Sequence, residues 1–354
     1  EAPMSIRWTG QLKPIVSGVY TLGMKSDDGC RVYVDGKKVI DAWTEHSVQM
    51  DEAMIKLEAG KTYKLQVEYF DNGGDCFAGL YWKAPSAGSQ NVLARFGDAG
   101  KVAAECDVTV AVLGINKSIE REGQDRFSLE LPVDQQEFIK ELYKVNPNTV
   151  VVLVAGSSMA VNWMDENVPA ILNAWYPGEQ GGNAVAEVLF GDYNPGGRLP
   201  LTYYNSLDEI PAFDNYSVKG RTYQYFEGQP LYEFGYGLSY TKFRYKSKGV
   251  NVEQDTVKVS FEVSNTGKYD GDEVTQVYVK YPETGTYMPL KQLHGFKRVH
   301  IKKGKTSKVT IGVPKKDLRY WDEQERKFVT PKGEYTFMVG ASSEDIKFRE
   351  TVGL

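Results

Sequence analysis

Hydrophobic positions along this chain follow two different periods. Up to about residue 95 they alternate with polar ones over short segments, Val19–Met24, Arg31–Val34, Tyr63–Tyr69 and Gly79–Trp82. D-D-G, D-G-K-K, E-A-G-K and D-N-G-G turns separate these segments, and period-two alternation between such turns predicts an all-β unit, a β-sandwich. From about 101 the period changes. An apolar run at Val108–Leu113, a helical stretch from Pro132 to Val145, a second run at Thr149–Val154 and a third around Ala170–Trp175 follow one another. Short apolar runs alternating with helices predict βαβ units and a mostly parallel sheet whose strands are buried on both faces. In the first helix Pro132 is expected at N1, where its missing N–H costs nothing, with Phe138, Ile139, Leu142 and Val145 on one apolar face. A Gly-rich turn, a helix from about Gln180 to Phe190 and a strand entered through Arg198-Leu199-Pro200 come next. The turn carries no G-K-[ST] or G-x-G-x-x-G phosphate motif, so its glycines read as a device for close helix packing.

Composition narrows this picture without changing it. A length of 354 residues suits two to three domains, and 41% hydrophobic with 25% charged residues is ordinary for a globular chain. The formal net charge of −5 argues against a nucleic-acid partner. No apolar run approaches the ~18 residues of a membrane span. Cys30, Cys76 and Cys106 have no metal-ligand spacing, and the three His are scattered, so neither a metal nor a cofactor is expected. Cys30 and Cys76 are either a disulfide or two plain buried thiols. The chain starts at Glu1 without Met, which reads as a processed chain or a fragment, and a secreted or periplasmic location is expected.

Candidate chemistry concentrates in Ser118–Pro132, S-I-E-R-E-G-Q-D-R-F-S-L-E-L-P, which leaves the carboxyl end of a predicted strand. In open α/β sheets ligands bind at that end. Glu120, Arg121, Glu122, Asp125 and Arg126 there form either a reactive loop or a surface ion-pair cluster. Asp125 and Arg126 are expected to pair with each other and fix the loop.

Two resemblances sharpen the choice. Ser26-Asp27-Asp28-Gly29 followed by C-R-V-Y-V-D-G-K-K-V-I-D resembles the protective-antigen-type domain, a β-sandwich. In sugar-binding members paired Asp residues hold Ca²⁺; here Asp27 and Asp28 either do the same or cap a turn. The stretch W-Y-P-G-E-Q-G-G-N-A-V-A-E-V-L-F-G-D-Y-N-P-G-G-R-L-P and then L-Y-E-F-G-Y-G-L-S-Y-T-K-F at 231–243 resemble the C-terminal half of a glycoside hydrolase family 3 enzyme. Val257–Val263, Glu273–Tyr281, L-K-Q-L-H-G-F-K-R-V and Gly333–Val339 resemble that family's terminal fibronectin type III-like sandwich. The resemblance therefore implies a multidomain β and α/β chain: a protective-antigen-type β-sandwich at 1–96, an α/β sandwich with a mostly parallel sheet at 97–246, incomplete at its N-terminal side, and a fibronectin type III-like β-sandwich at 247–354.

The resemblance also implies an activity, retaining exo-hydrolysis of terminal β-D-glucosyl or β-D-xylosyl residues of oligosaccharides. E-R-E-G-Q-D-R resembles the family's acid/base loop, in which a Glu precedes G-x-D-R. The acid/base role accordingly falls on Glu122, with Glu120 as second choice. The nucleophilic Asp of the family lies in an N-terminal barrel that no stretch here resembles, so this chain alone is expected to be inactive. The barrel, an oligosaccharide substrate and a homodimer are the partners considered. The first domain is expected to contribute to substrate choice, with Trp43, Asp71 and Asp75 as candidate substrate-binding residues. The competing reading is a non-catalytic carbohydrate-binding or adhesive module.

Overall fold

The computed structural model describes residues 3–74, 76–85, 96–123, 125–126, 128–212 and 215–354. Asp75 lies outside them. The chain divides into two compact units, Glu1–Val92 and Leu93–Leu354.

The first unit is built of β1 (Met4–Leu12), β2 (Gly18–Ser26), β3 (Cys30–Val34), β4 (Lys37–Ala42), β5 (Gln49–Leu57), β6 (Tyr63–Asp71) and β7 (Ala78–Lys83). They form two antiparallel sheets, β1-β6-β3-β4 and β5-β2-β7. Period-two alternation accounts for this: Cys30, Val32 and Val34 point inward from β3 while Arg31 and Tyr33 do not. With Tyr20, Leu22, Met24, Leu57 and Val67 they make the core between the sheets. Cys30 is buried, Cys76 is exposed, and neither is bonded.

The second unit opens with α1 (Ala99–Glu105), β8 (Thr109–Gly114), α2 (Val133–Val145), β9 (Thr149–Val154), α3 (Asn162–Asn167), β10 (Ala170–Asn173) and α4 (Gly181–Phe190). The three strands form a parallel sheet in the order β10-β9-β8. Among the described residues no strand pairs with the outer edge of β8 or β10. The α2 helix starts one residue later than its sequence suggests. Pro132 is its N-cap, extended at ψ 139°, with its carbonyl accepting from the Gln135 and Gln136 amides. Ile139 and Leu142 are buried in the core and Phe138 packs on it, while Val145 is exposed. No strand forms after Arg198-Leu199-Pro200. Pro200 has no N–H to give a ladder, and the segment hydrogen-bonds instead to 232–236: the Leu199 amide to the Tyr236 carbonyl, the Gly235 amide to the Leu199 carbonyl, and the Tyr203 amide to the Tyr232 carbonyl.

After the short α5 (Thr222–Tyr225) the chain enters a second sandwich of β11 (Phe243–Val252), β12 (Thr256–Asn265), β13 (Gly271–Lys280), β14 (Gln292–Ile301), β15 (Thr306–Pro314), β16 (Tyr320–Asp322), β17 (Lys327–Val329), β18 (Glu334–Gly340) and β19 (Ile346–Gly353). Sheets β11-β12-β15 and β14-β13-β18-β19 enclose a core of Val257, Val259, Phe261, Val277, Val279 and Phe337, and β16 with β17 forms a separate hairpin. The buried Arg198–Glu273 ion pair, 2.8 Å long, joins the irregular segment after α4 to β13 of this sandwich.

Candidate active site

The three parallel strands deliver three loops to one end of the sheet. From β8 leaves the charged loop that begins at Ile115, whose amide donates to the Val154 carbonyl. Asn116 turns it: its carbonyl accepts from the Ile119 and Glu120 amides and its side chain from the Ser118 amide. From β9 leaves Ala155 to Val161, and from β10 the segment containing Trp175 and Tyr176.

A single ion pair organises the charged loop. Arg126 Nε lies 2.7 Å from Glu120 Oε2. The Arg126 Nη2 group donates to Ser157 Oγ at 2.9 Å and to the Ser158 carbonyl at 2.7 Å. The Ser157 hydroxyl in turn lies 2.8 and 2.6 Å from the two Glu120 carboxylate oxygens. The Arg126 Nη1 group reaches Met159 Sδ at 3.0 Å and the Leu129 carbonyl at 3.4 Å. The side chains of Arg126 and Glu120 are only 9% and 22% exposed. Arg126 thus pairs with Glu120 and not with Asp125 as the sequence suggests. Asp125 is nearer along the chain, but the fold places the Glu120 carboxylate between the guanidinium and the Ser157 hydroxyl.

Glu122 stands apart from this network. It is exposed, precedes Gly123 in the left-handed region at φ 71°, and among the described residues has no hydrogen-bond or ion-pair partner. The two candidate carboxylates therefore have different surroundings. Glu120 is tied at both oxygens, whereas Glu122 is open to solvent beside a residue type suited to a sharp turn.

Sequence reasoning missed Ser157 and the aromatic residues of the third loop. Trp175 has φ 54°, a conformation that a bulky residue rarely holds. The exposed Tyr176 donates its hydroxyl to the Ile115 carbonyl at 3.4 Å, joining the third loop to the root of the first. Trp175 and Tyr176 head the W-Y-P-G-E-Q-G-G motif, which gave them no role, and Ser157 was marked only by its position after the apolar run that became β9. The buried Tyr203 accepts from Asn173 of β10 at 3.0 Å, and burial pushes its phenol up to about 12.

In the first unit Trp43 and Asp71 come together. With Met4, Glu45, Phe70 and Asn72 they line an open cleft of about 360 Å³. The Trp43 ring meets Phe70 edge-on at 4.8 Å and carries Arg31 over its face at 4.4 Å. Asp71 is buried and accepts from the Gly73 amide at 2.7 Å, closing the turn that follows β6. Asp28 is also buried and in the left-handed region. Its two oxygens accept from the His46 and Asn72 amides at 3.1 and 2.7 Å, so it caps turns on both sides of the cleft. Among the described residues no three His, Cys, Asp or Glu side chains gather as a metal site would require.

Comparison with known proteins extends this geometry to a family. Residues 16–240 match the profile of the glycosyl hydrolase family 3 C-terminal domain, and residues 273–343 that of a fibronectin type III-like domain. A xylan 1,4-beta-xylosidase of Xylanibacter ruminicola is 34% identical over 338 residues, covering 93% of this chain and 39% of that protein. A beta-glucosidase of Kluyveromyces marxianus is 33% identical over 371 residues, covering 96% and 43%. Among solved structures, the K. marxianus beta-glucosidase in complex with glucose superposes with a TM-score of 0.68 at 30% identity, covering 99% of this chain and 44% of that one. The beta-glucosidase DesR of Streptomyces venezuelae with D-glucose gives 0.72 at 28%, covering 100% and 47%. The chain spans less than half the length of these relatives. With both of its profiles and nearly its whole length matched, the chain belongs to glycosyl hydrolase family 3 and carries that family's C-terminal domain followed by a fibronectin type III-like domain.

Proposed function

We propose that this chain is the acid/base-bearing portion of a retaining exo-β-glycosidase that removes terminal β-D-glucosyl or β-D-xylosyl residues from oligosaccharides. Glu122 is its acid/base, and the nucleophilic Asp belongs to a barrel outside this chain. A retaining enzyme needs two carboxyl groups about 5–5.5 Å apart. One attacks the anomeric carbon and expels the leaving group, which the other protonates. The second group then takes a proton from the water that releases the sugar. The observation that carries the assignment to Glu122 is the contrast between the two loop carboxylates. Glu120 is held by Arg126 and Ser157, while Glu122 projects from the same loop without a partner among the described residues.

In the enzyme that contains this chain, Glu122→Gln should bind substrate normally and lose turnover on β-linked disaccharides by roughly 10²–10⁴. Glycosides of acidic phenols leave without help, so their first step should be spared. Azide, which needs no general base, should then restore the second step and yield a β-glycosyl azide. Full disaccharide activity in Glu122→Gln, with the same collapse and rescue in Glu120→Gln, would move the role to Glu120.

The same reading makes Trp43 and Asp71 substrate-contacting residues of the first unit, supported by their shared cleft. Asp75, the third candidate, remains a proposal from the sequence alone. Trp43→Ala in the active enzyme should alter the relative kcat/KM for disaccharides and longer oligosaccharides by several-fold, while leaving an aryl glycoside unchanged. An unaltered preference would remove the first unit from substrate choice. The reading also supplies an occupant for the β8 edge of the parallel sheet, where Val110 and Val112 are exposed: the portion of the longer polypeptide that carries the barrel.

A further inference from the structure

Arg126 ties together both limbs of the charged loop and the loop that follows β9. Its guanidinium reaches Glu120 on the outgoing limb of the loop, the Leu129 carbonyl on the returning limb, and Ser157, the Ser158 carbonyl and Met159 Sδ on the next loop. Glu122 and Gly123 lie between the two limbs. The returning limb is seated a second time, where the Ala160 amide donates to the Leu129 carbonyl at 2.8 Å and Glu130 bridges Ala160 in parallel fashion. The outgoing limb is seated on the β9 loop by Glu120, which binds both Arg126 and Ser157. Beside it Ile119 packs against the hydrophobic core of the unit.

Such a pair is a poor way to gain stability. Desolvation of a mostly buried ion pair offsets much of its Coulomb attraction, and apolar residues of similar volume often serve a fold as well. A guanidinium contributes something else, a planar set of donors with fixed directions, so every group it binds is fixed relative to the others. Position is what an acid/base on a loop requires. A misplacement of about 1 Å can cost roughly 10²-fold in rate, and groups on loops reach such precision only through supporting contacts.

We propose that Arg126 is a positioning residue. By clamping Glu120 to Ser157 it fixes the root of the loop and so holds the Glu122 carboxyl in line with the leaving-group oxygen. The proposal rests on the reading of Glu122 as acid/base, and it gives Glu120 a definite task as the anchor of the clamp. Arg126 neither touches substrate nor moves a proton. Its removal should therefore mimic, in weaker form, the loss of Glu122, and it should do so selectively.

The test compares two substrates in the active enzyme that contains this chain, a β-linked disaccharide and the 2,4-dinitrophenyl glycoside of the same sugar. Arg126→Ala should lower kcat on the disaccharide by roughly 10–100-fold and on the dinitrophenyl glycoside by less than about threefold. Added guanidinium ion, filling the vacated site, should recover part of the disaccharide rate. Arg126→Lys should fall between, since a lysine keeps the charge but not the planar fork. Should Arg126→Ala fail to fold, Glu120→Gln and Ser157→Ala remove one partner each and should give the same selective loss.

Hydrogen exchange in this chain alone gives an independent readout. Arg126→Ala should speed exchange at the Ile119 and Glu120 amides and leave β8 and β9 protected. Equal losses on both substrates, with no rescue by guanidinium, would reduce Arg126 to a structural role and overturn the proposal. No loss on either substrate would overturn it as well. Glu122→Gln is the control: a selective loss there without one in Arg126→Ala refutes the clamp alone. No loss in Glu122→Gln refutes the acid/base assignment on which the clamp depends.

Discussion

Arg198 shows how a single charge can become a structural commitment. Its Nη2 group lies 2.8 Å from Glu273 Oε2, and the Tyr245 hydroxyl donates to Glu273 Oε1 at 2.6 Å. Both members of the pair are almost fully buried. Burial pushes the Glu273 carboxyl above its ordinary range, while the Tyr245 hydrogen bond and the Arg198 charge pull it back. Arg198→Met would leave the carboxylate buried without its cation, which typically costs about 3–5 kcal/mol. The sign of the pH dependence follows. Without Arg198 the folded-state pKa of Glu273 rises further above its unfolded value, so the folded protein takes up the proton more readily. The deficit is then largest near pH 7 and shrinks as pH falls toward 5. Urea unfolding at the two pH values checks this, and a deficit that grows on acidification would contradict it. In sequence the arginine was visible only as part of an R-L-P motif. Its partner lies 75 positions away, and no local pattern marks Glu273. The same holds for Arg126: the loop's charges were legible, but Asp125 was the nearer carboxylate, while the fold chose Glu120 through a serine 31 positions distant.

At the scale of elements, periodicity was a good guide where burial is one-sided and a weaker one where it is not. In the first unit β3 and β6 alternate as their sequence does, and α2 buries Ile139 and Leu142 as its apolar face requires. Ends were harder. Pro132 stands outside α2 because its carbonyl, not its ring nitrogen, is what the first turn uses. The end of β8 depends on a contact that no pattern reveals. Gln135 of α2 donates to the Gly114 carbonyl at 2.7 Å and accepts from the Gly114 amide at 2.8 Å, satisfying both backbone groups where the strand stops. A Cβ at Gly114 would lie 1.8 Å from the Val154 carbonyl oxygen, so only glycine fits against β9 there. The charged loop departs immediately beyond this point. Its root is thus set by one glycine, one helix side chain and the parallel register of Leu113 with Leu153. The expected strand at Arg198-Leu199-Pro200 failed for the opposite reason: its residues suit a strand, but their amides and carbonyls find partners at 232–236 and not in the sheet.

At the scale of the molecule, the apolar runs promised a parallel sheet covered on both faces; among the described residues one face is covered, while on the other Val152 of β9 is buried and the β8 edge stays open. Ala111 and Leu113 of β8 point into the core with Ile139, Leu142 and Val151. Val110 and Val112 face outward, and Val112 is 65% exposed. The α4 helix, G-G-N-A-V-A-E-V-L-F, buries only Gly181 and leaves Phe190 85% exposed. Parallel sheets in folded proteins are almost always covered on both faces, and large apolar patches mark surfaces that meet something. Because the chain spans less than half the length of its relatives, the occupant proposed above is the barrel-bearing part of the longer polypeptide. Replacing both Val110 and Val112 with Glu separates this from the alternatives. In this chain by itself the double variant should unfold within about 0.5 kcal/mol of the unsubstituted protein per site, as exposed positions do. In the longer polypeptide the same two carboxylates would be buried without partners, and soluble yield or glycosidase activity should collapse. A loss of several kcal/mol in this chain alone would mean that the valines already pack within it. A dimer of this chain that the glutamates dissociate would make the occupant a second copy, and full activity in the longer polypeptide would mean that the face meets only water.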